Sequence, residues 1–264
     1  MLLRDKTAII TGGSKGVGRG IALKFAREGC DVVVCARNAA ETEKVAEELR
    51  ALGRKSLAFA LDVANSAKVE EMVERTIAEF GKIDILVNTA GEIAGSDPSA
   101  SKSIALISEE EWDRIVGSNL KGTFLTMRSV IPQMKKQGNG VIINFTSLGA
   151  IHPPTVAPHY HASKAGVIGM TYDTARELGP FNIRVNAIMP GPIRTPFFDK
   201  LVAGMTDEER EAFFAGMAKI CPLQRVGTPE DCAGAALFLA SDLSAYVTGA
   251  VIPVTGGLPL QPTL

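Results

Sequence analysis

"KTAIITGGSKGVGRGIALKFAREG", residues 6 to 29, decides the fold. "KTAIIT" is a short continuous apolar run rich in β-branched residues, the pattern of a strand buried on both faces. Residues 16 to 28 change to helical spacing. Between the two lies "TGGSKGVG", residues 11 to 18. Gly12 lets the chain leave the strand sharply. Gly16 and Gly18 remove side chains where a pyrophosphate approaches main-chain N–H groups and where helix must pack on strand. A helix opening behind such a turn offers unpaired N–H groups and the positive end of its dipole to an anion. The spacing Gly-x-x-x-Gly-x-Gly differs from the common GxGxxG fingerprint, so the turn alone also suits a plain tight βα connection. The strand before it and the helix after it favour a dinucleotide cradle, with Gly12, Ser14, Lys15, Gly16, Val17 and Gly18 along the phosphates.

The same alternation continues. "DVVVCA", "SLAFALDV", "IDILVNTAG", "GVIINFTS", "NIRVNAIMPG" and "GAVIPVTGG" read as further strands. Helical spacing fills 39 to 53, ending at Gly53, then 66 to 80, most of 108 to 137, and 158 to 178. Ser108 with Glu111 forms a capping box, and "TDEE" (206–209) and "TPED" (228–231) read as helix starts. Apolar strands alternating with helices imply an α/β, Rossmann-type, doubly wound parallel sheet of seven strands with helices on both faces. No linker, repeat or low-complexity run divides it, so residues 1–264 are expected to form one dinucleotide-binding and catalytic domain. Two stretches, 92–107 and 191–206, lack periodicity; long loops at strand ends are often functional.

The chain has 264 residues, with 28 Lys plus Arg against 29 Asp plus Glu. That balance gives no electrostatic reason to expect nucleic acid or an anionic membrane as partner. No stretch reaches the ~18 uninterrupted apolar residues of a membrane span, and "MLLRDKTAII" does not read as a signal peptide. Cys30, Cys35, Cys221 and Cys232 have neither CxxC spacing nor a nearby histidine to complete a zinc set, so no metal site is expected and the thiols read as reduced, cytosolic cysteines.

The end of the second strand selects the cofactor. An NAD site commonly has Asp or Glu there to bond the ribose 2′-OH. Here "VVVCARN" carries Arg37 and no carboxylate, and Lys15 adds a second cation. The pair favours a 2′-phosphate, hence NADP(H) over NAD(H), unless both are solvated surface charges. Asp62, followed by Val63, is placed to bond the adenine, or is a strand-end cap.

Five motifs then follow in order: "TGGSKGVG", "NTAG" (88–91), Ser147 after the fifth strand, "YHASK" (160–164) and "PGPIRT" (190–195). In this combination the chain resembles the short-chain dehydrogenase/reductase family in its single-domain form, including 3-oxoacyl reductases and related carbonyl reductases and alcohol dehydrogenases, from about residue 4 to 257. The resemblance implies a catalytic tetrad. Tyr160 is the general acid in ketone reduction and the base in the reverse reaction. Lys164 bonds the nicotinamide ribose and, as a nearby cation, depresses the Tyr160 pKa. Ser147 bonds the substrate oxygen, and Asn119 helps hold a water that leads protons to the lysine. The four-residue step from Tyr160 to Lys164 places both on one helix face, as this chemistry requires. Without the resemblance, Asn119 could be a helix interruption, Ser147 a cap, and Tyr160 with Lys164 a packed aromatic and a snorkelling lysine. The resemblance further assigns Asn88, Ala90, Gly91, Pro190, Gly191, Ile193 and Thr195 to the cofactor, and implies a homotetramer or dimer.

Thr89 and Thr255 depart from the family pattern, which often has Asn and Asp there, and 92–107 is longer than in many relatives. His159 and His161 flank Tyr160 and are expected to point away from it along the helix. His159 and His152 are candidates for lining a substrate pocket. Residues 193 to 220 carry Phe197, Phe198, Phe213 and Phe214 and are expected to form a small helical lid that excludes water, or a cap with its own core. Phe197 and Phe198 are the pocket candidates within it. The expected activity is NADP(H)-dependent interconversion of a ketone and a secondary alcohol. The alternatives are an NAD-dependent secondary alcohol dehydrogenase of the same family and a non-catalytic dinucleotide sensor.

Overall fold

A computed structural model describes residues 1–92, 103–196, 198 and 202–259. In chain order its strands and α-helices are β1 (Thr7–Thr11), α1 (Gly16–Arg27), β2 (Asp31–Ala36), α2 (Ala39–Ala51), β3 (Ser56–Ala60), α3 (Ser66–Phe80) and β4 (Ile85–Asn88). Then come α4 (Glu109–Val116), α5 (Gly122–Gln137), β5 (Gly140–Phe145), α6 (Pro158–Leu178), β6 (Ile183–Pro190), α7 (Asp207–Ile220), α8 (Pro229–Ala240) and β7 (Val251–Val254). The seven strands form one sheet in the order β3-β2-β1-β4-β5-β6-β7, and every neighbouring pair is parallel.

The strands are apolar at nearly every position because helices cover both faces. Adjacent residues alternate between two cores. Ile10, Val32 and Val34 pack with Ile21 and Phe25 of α1, Leu49 of α2 and Ala236 of α8. Ile9, Val33 and Cys35 pack with Met72 of α3, Val130 and Met134 of α5 and Leu178 of α6. Winding outward from β1 to β3, the chain then returns to β4 on the other side of β1. The crevice above the carboxyl ends of β1 and β4 is therefore the topological switch point where doubly wound sheets bind ligands.

Helix starts follow the short polar side chains. Asn38, Asn65 and Ser108 each accept from the N–H three residues on. Thr206 with Glu209 and Thr228 with Asp231 form full capping boxes. Gly53 has φ +78, as expected of a residue just past a helix end. The helical run across 108–137 is not uniform: a π-helical turn, Gly117–Lys121, separates α4 from α5. Such turns widen the backbone locally and concentrate at functional sites.

A polar ladder crosses the otherwise apolar centre. The Asn88 amide donates to Asn144 Oδ1 at 3.0 Å and its oxygen accepts from Thr126 Oγ1 at 2.7 Å. Asn144 donates onward to Thr171 Oγ1 at 3.0 Å. β4, β5, α5 and α6 are thereby pinned in one register by buried groups that satisfy each other.

Candidate active site

The glycine turn is shaped by close approach. Gly12 has φ +67, and a Cβ there would stand 2.9 Å from the Ala90 backbone. A Cβ on Gly18 would lie 2.3 Å from the Gly12 carbonyl oxygen. Gly16, with φ +55, faces Thr195, whose Cβ is 3.5 Å from where its own would be. Glycine turn and the 190–195 segment thus form two walls of one cleft. Lys15 sits at the α1 N-cap with no side-chain cap bond, and the first turn holds no acid. Its N–H groups and dipole are open to an anion, so this cradle fits a dinucleotide pyrophosphate. Ser14 Oγ lies 3.5 Å from Glu41.

Residues on the adenosine side are placed as follows. Arg37 follows β2. Asp62 is exposed and accepts from Ala64 N at 2.9 Å, which is cap behaviour, while Val63 is buried against Gly122 at the start of α5. Asn88 differs from expectation. Its side chain turns inward to Thr126 and Asn144, so only its main chain faces the cleft. Thr89 replaces the family asparagine by donating its hydroxyl to the Thr11 carbonyl, and Thr11 Oγ1 accepts from Ala90 N at 3.1 Å. These bonds lock the ends of β1 and β4 together.

The four tetrad residues converge. Lys164 is buried, and its Nζ donates to the Phe145 carbonyl at the end of β5 at 3.0 Å. It stands 6.0 Å from the Tyr160 ring centre. A Cβ on Gly91 would lie 3.2 Å from that Nζ and 2.9 Å from Asn119 Oδ1. Asn119, in the π-helical turn, accepts from Glu92 N at 2.8 Å and donates to Glu92 O and to Ser163 Oγ, each at 3.0 Å. Ser163 Oγ donates to the Tyr160 carbonyl, and Thr146 Oγ1 to the Lys164 carbonyl, both at 2.7 Å. Ser147 Oγ accepts from Gly149 N at 3.1 Å and hydrogen-bonds Tyr160.

The electrostatics modify one expectation. Burial is the largest influence on Tyr160 and raises its pKa; the opposing, smaller influence is the Ser147 hydrogen bond, not Lys164. Burial lowers Lys164 from 10.5 to about 8. The lysine is itself desolvated, so its charge is reduced near the pH at which it would act on the phenol.

The histidines do not all lie where expected. His159 is fully buried, with Nε2 3.4 Å from Glu111 Oε1 of α4, so it lines no accessible surface. As the second residue of α6 it faces the acidic first turn of α4. His161 does not point away from Tyr160. Its ring packs edge-on to the phenol at 5.6 Å and leans on Gly149, where the missing side chain leaves room. His152 is exposed on the loop after Ser147, near exposed Ile151 and Val156.

Pro190 ends β6, and Gly191 N donates to Val254 O at 3.0 Å. The Ile193 side chain is buried against Gly227, so only its main chain is free for a cofactor. Phe198 packs against Phe213 and Phe214 at 6.4 and 6.0 Å, giving this region an aromatic core of its own; Phe197 lies outside the described residues. Arg194 pairs with Glu211 and covers the Phe214 ring at 4.5 Å, fastening the segment to α7. Sequence reading missed Thr11, Thr126, Asn144 and the Phe145 carbonyl. Asn144 carried a signal, being a polar residue inside an apolar strand; a main-chain carbonyl carries none.

Among the described residues no helix is long and apolar enough to cross a membrane, and no three His, Cys, Asp or Glu side chains are placed to hold a metal.

Comparison with known proteins agrees with this geometry. A family model described as enoyl-(acyl carrier protein) reductase matches residues 12–259. The 3-oxoacyl-[acyl-carrier-protein] reductase FabG of Thermotoga maritima is 40% identical over 258 residues, covering 98% of this chain and 99% of that protein. The protein of the same name from Staphylococcus epidermidis is 40% identical over 256 residues, 96% of this chain and 99% of its own. Among solved structures, levodione reductase superposes with TM-score 0.87 at 32% identity, covering 96% of this chain and 97% of that one. A short-chain type dehydrogenase/reductase from Mycobacterium marinum gives 0.85 at 35% identity, covering 97% and 96%.

Proposed function

The chain belongs to the short-chain dehydrogenase/reductase family, oxidoreductases that act on the C=O/CH–OH pair with NAD(P), and from that premise we propose an NADP(H)-dependent enzyme that interconverts a ketone and a secondary alcohol. The observation that carries this is the meeting of Ser147, Tyr160, Lys164 and Asn119 beside Gly91, below a cradle built for a pyrophosphate.

NADP(H), when bound, supplies or takes the hydride. The protein holds it through the α1 N-terminus and the main chain of Ala90, Gly91 and Gly191, with Thr195 on the facing wall. Arg37 and Lys15 take the 2′-phosphate. Ser147 Oγ receives the Gly149 N–H and is hydrogen-bonded to Tyr160, so a substrate oxygen that enters between the two hydroxyls takes over the Ser147 hydrogen. Tyr160 gives its proton to the alkoxide as charge develops there. A phenol raised by burial keeps that proton at neutral pH, which suits the reductive direction. Lys164, near pKa 8, can exchange a proton close to neutrality while its bond to Phe145 O fixes its position. Asn119 keeps the Gly91–Glu92 backbone against this pair.

The same proposal has the chain act as one domain, with residues 193–220 as the lid, working in the cytoplasm as a homotetramer. The substrate is a ketone with an apolar part that the lid covers. The names of the relatives put 3-oxoacyl thioesters and levodione first in a panel.

Initial rates over such a panel with NADPH and NADH test the proposal. NADPH should be preferred, Arg37→Ala should erase the preference, and Tyr160→Phe should lower turnover by roughly 10²–10⁴-fold. A large preference for NADH that Arg37→Ala leaves intact would refute the cofactor assignment and favour the NAD-dependent alternative.

A further inference from the structure

Glu92, the first residue beyond "NTAG", has no part in the chemistry above, yet it joins two arginines. Its Oε2 lies 2.9 Å from Arg114 Nη1 of α4 and 3.5 Å from Arg37 Nη2 beyond β2. Because β1 lies between β2 and β4, the Arg37–Glu92 pair passes over the carboxyl end of β1, above the glycine turn. Its main chain is fixed on both sides by Asn119. The side chain is only 20% exposed, against 64% for Arg37, and Oε1 is buried with no hydrogen-bond partner among the described residues.

We propose that Glu92 sets the cofactor selectivity of this chain by competing with a 2′-phosphate for Arg37. The proposal rests on Arg37 being the reader of that phosphate. Arg114 is the nearer partner and anchors the carboxylate, so a phosphate arriving at Arg37 meets a fixed negative charge instead of displacing it. A ribose 2′-hydroxyl carries no charge and meets no such repulsion from the carboxylate. From the loop after β4, Glu92 thus shares one effect of an acidic residue at the end of β2: it opposes the phosphate. It restrains the NADP preference that Arg37 and Lys15 create.

The test is cofactor binding by the intact protein, measured by isothermal titration with NADPH and with NADH. Wild type, Glu92→Gln, Arg37→Ala and the double variant are compared. The glutamine keeps the size of the side chain, and Asn119 bonds only the main chain, so the fold should survive. Glu92→Gln should raise the NADPH-to-NADH affinity ratio by about two- to fivefold, the scale of one partly exposed ion pair. The gain on NADPH should shrink when Arg37 is already alanine. A ratio that is unchanged or lowered by Glu92→Gln, while Arg37→Ala weakens NADPH, would overturn this inference alone. Arg37→Ala with no effect on NADPH would instead overturn the reading of Arg37 on which it rests.

Discussion

Replacing Gly91 by alanine adds one methyl group at the point where the candidate catalytic groups meet. Gly91 does not have a positive φ, so the substitution brings no backbone strain and acts only through space. The new carbon would stand 2.9 Å from Asn119 Oδ1 and 3.2 Å from Lys164 Nζ. Ordinary contact begins near 3.4 Å, so Asn119 Oδ1 must retreat by about half an ångström and Lys164 Nζ by a smaller step. Neither can do so freely. Lys164 Nζ is held to Phe145 O at 3.0 Å, and Asn119 to both main-chain groups of Glu92. Overpacking of this kind costs about 1–3 kcal/mol of stability, which a large α/β domain can absorb. Misplacing a reacting group by up to ~1 Å costs about 100-fold in rate. Gly91→Ala should therefore lower kcat by about 10–100-fold, corresponding to about 1.4–2.8 kcal/mol in the barrier. Steady-state kinetics with NADPH and the best ketone of the panel, alongside thermal unfolding, would read both effects. A folded variant with kcat within about twofold of wild type would refute the placement of Lys164 and Asn119 beside Gly91.

Three further outcomes follow from the same geometry. Lys164 has a folded pKa near 8 against 10.5 in the free side chain, so the unfolded chain binds more protons between those values and stability rises with pH across that window. Below it the charged lysine is a burden: Lys164→Met should lose turnover yet melt higher than wild type at pH 7, with the gap closing toward pH 10 in thermal scans. Asn144→Ala removes the centre of the buried ladder and leaves Asn88 and Thr171 short of partners, costing about 2–6 kcal/mol in urea unfolding at 1–3 kcal/mol per orphaned group. Gly216 lies inside α7, exposed and with nothing within 4 Å of an added Cβ, so Gly216→Ala should stabilise by about 0.5–1 kcal/mol in the same assay.

The architecture was legible wherever a pattern repeats. Alternating apolar runs and helical spacing located all seven strands, and Thr206 and Thr228 marked helix starts to the residue, because capping depends on chemistry three positions apart. The π-helical turn at Asn119 was not visible, since its residues carry ordinary helical spacing. That Tyr160 and Lys164 share one helix was legible from their i, i+4 step, while their selection as candidates came from the motifs around them. Which way a side chain turns at a strand end was not: Asn88 and Ile193 face inward because Asn144 with Thr126, and Gly227, offer partners far away in sequence. His161 reached Tyr160 for a similar reason, the room above Gly149. The Arg37–Glu92–Arg114 group joins three elements that no local window contains.

The groups that hold the candidate catalytic side chains are largely peptide atoms: the Phe145 carbonyl for Lys164, both peptide groups of Glu92 for Asn119, the Gly149 N–H for Ser147. Peptide atoms are the same whatever residue bears them. The candidate centre is therefore insulated from mutation at the very positions that support it, provided the backbone path is kept. Novelty can accumulate in the loop after Ser147 and in the 193–220 region, neither of which supplies those contacts except through the Gly149 peptide. Grafting either loop from a relative should change the range of substrates accepted while leaving the candidate catalytic groups in place. A scaffold with that division of labour can diversify by exchanging its outer walls alone.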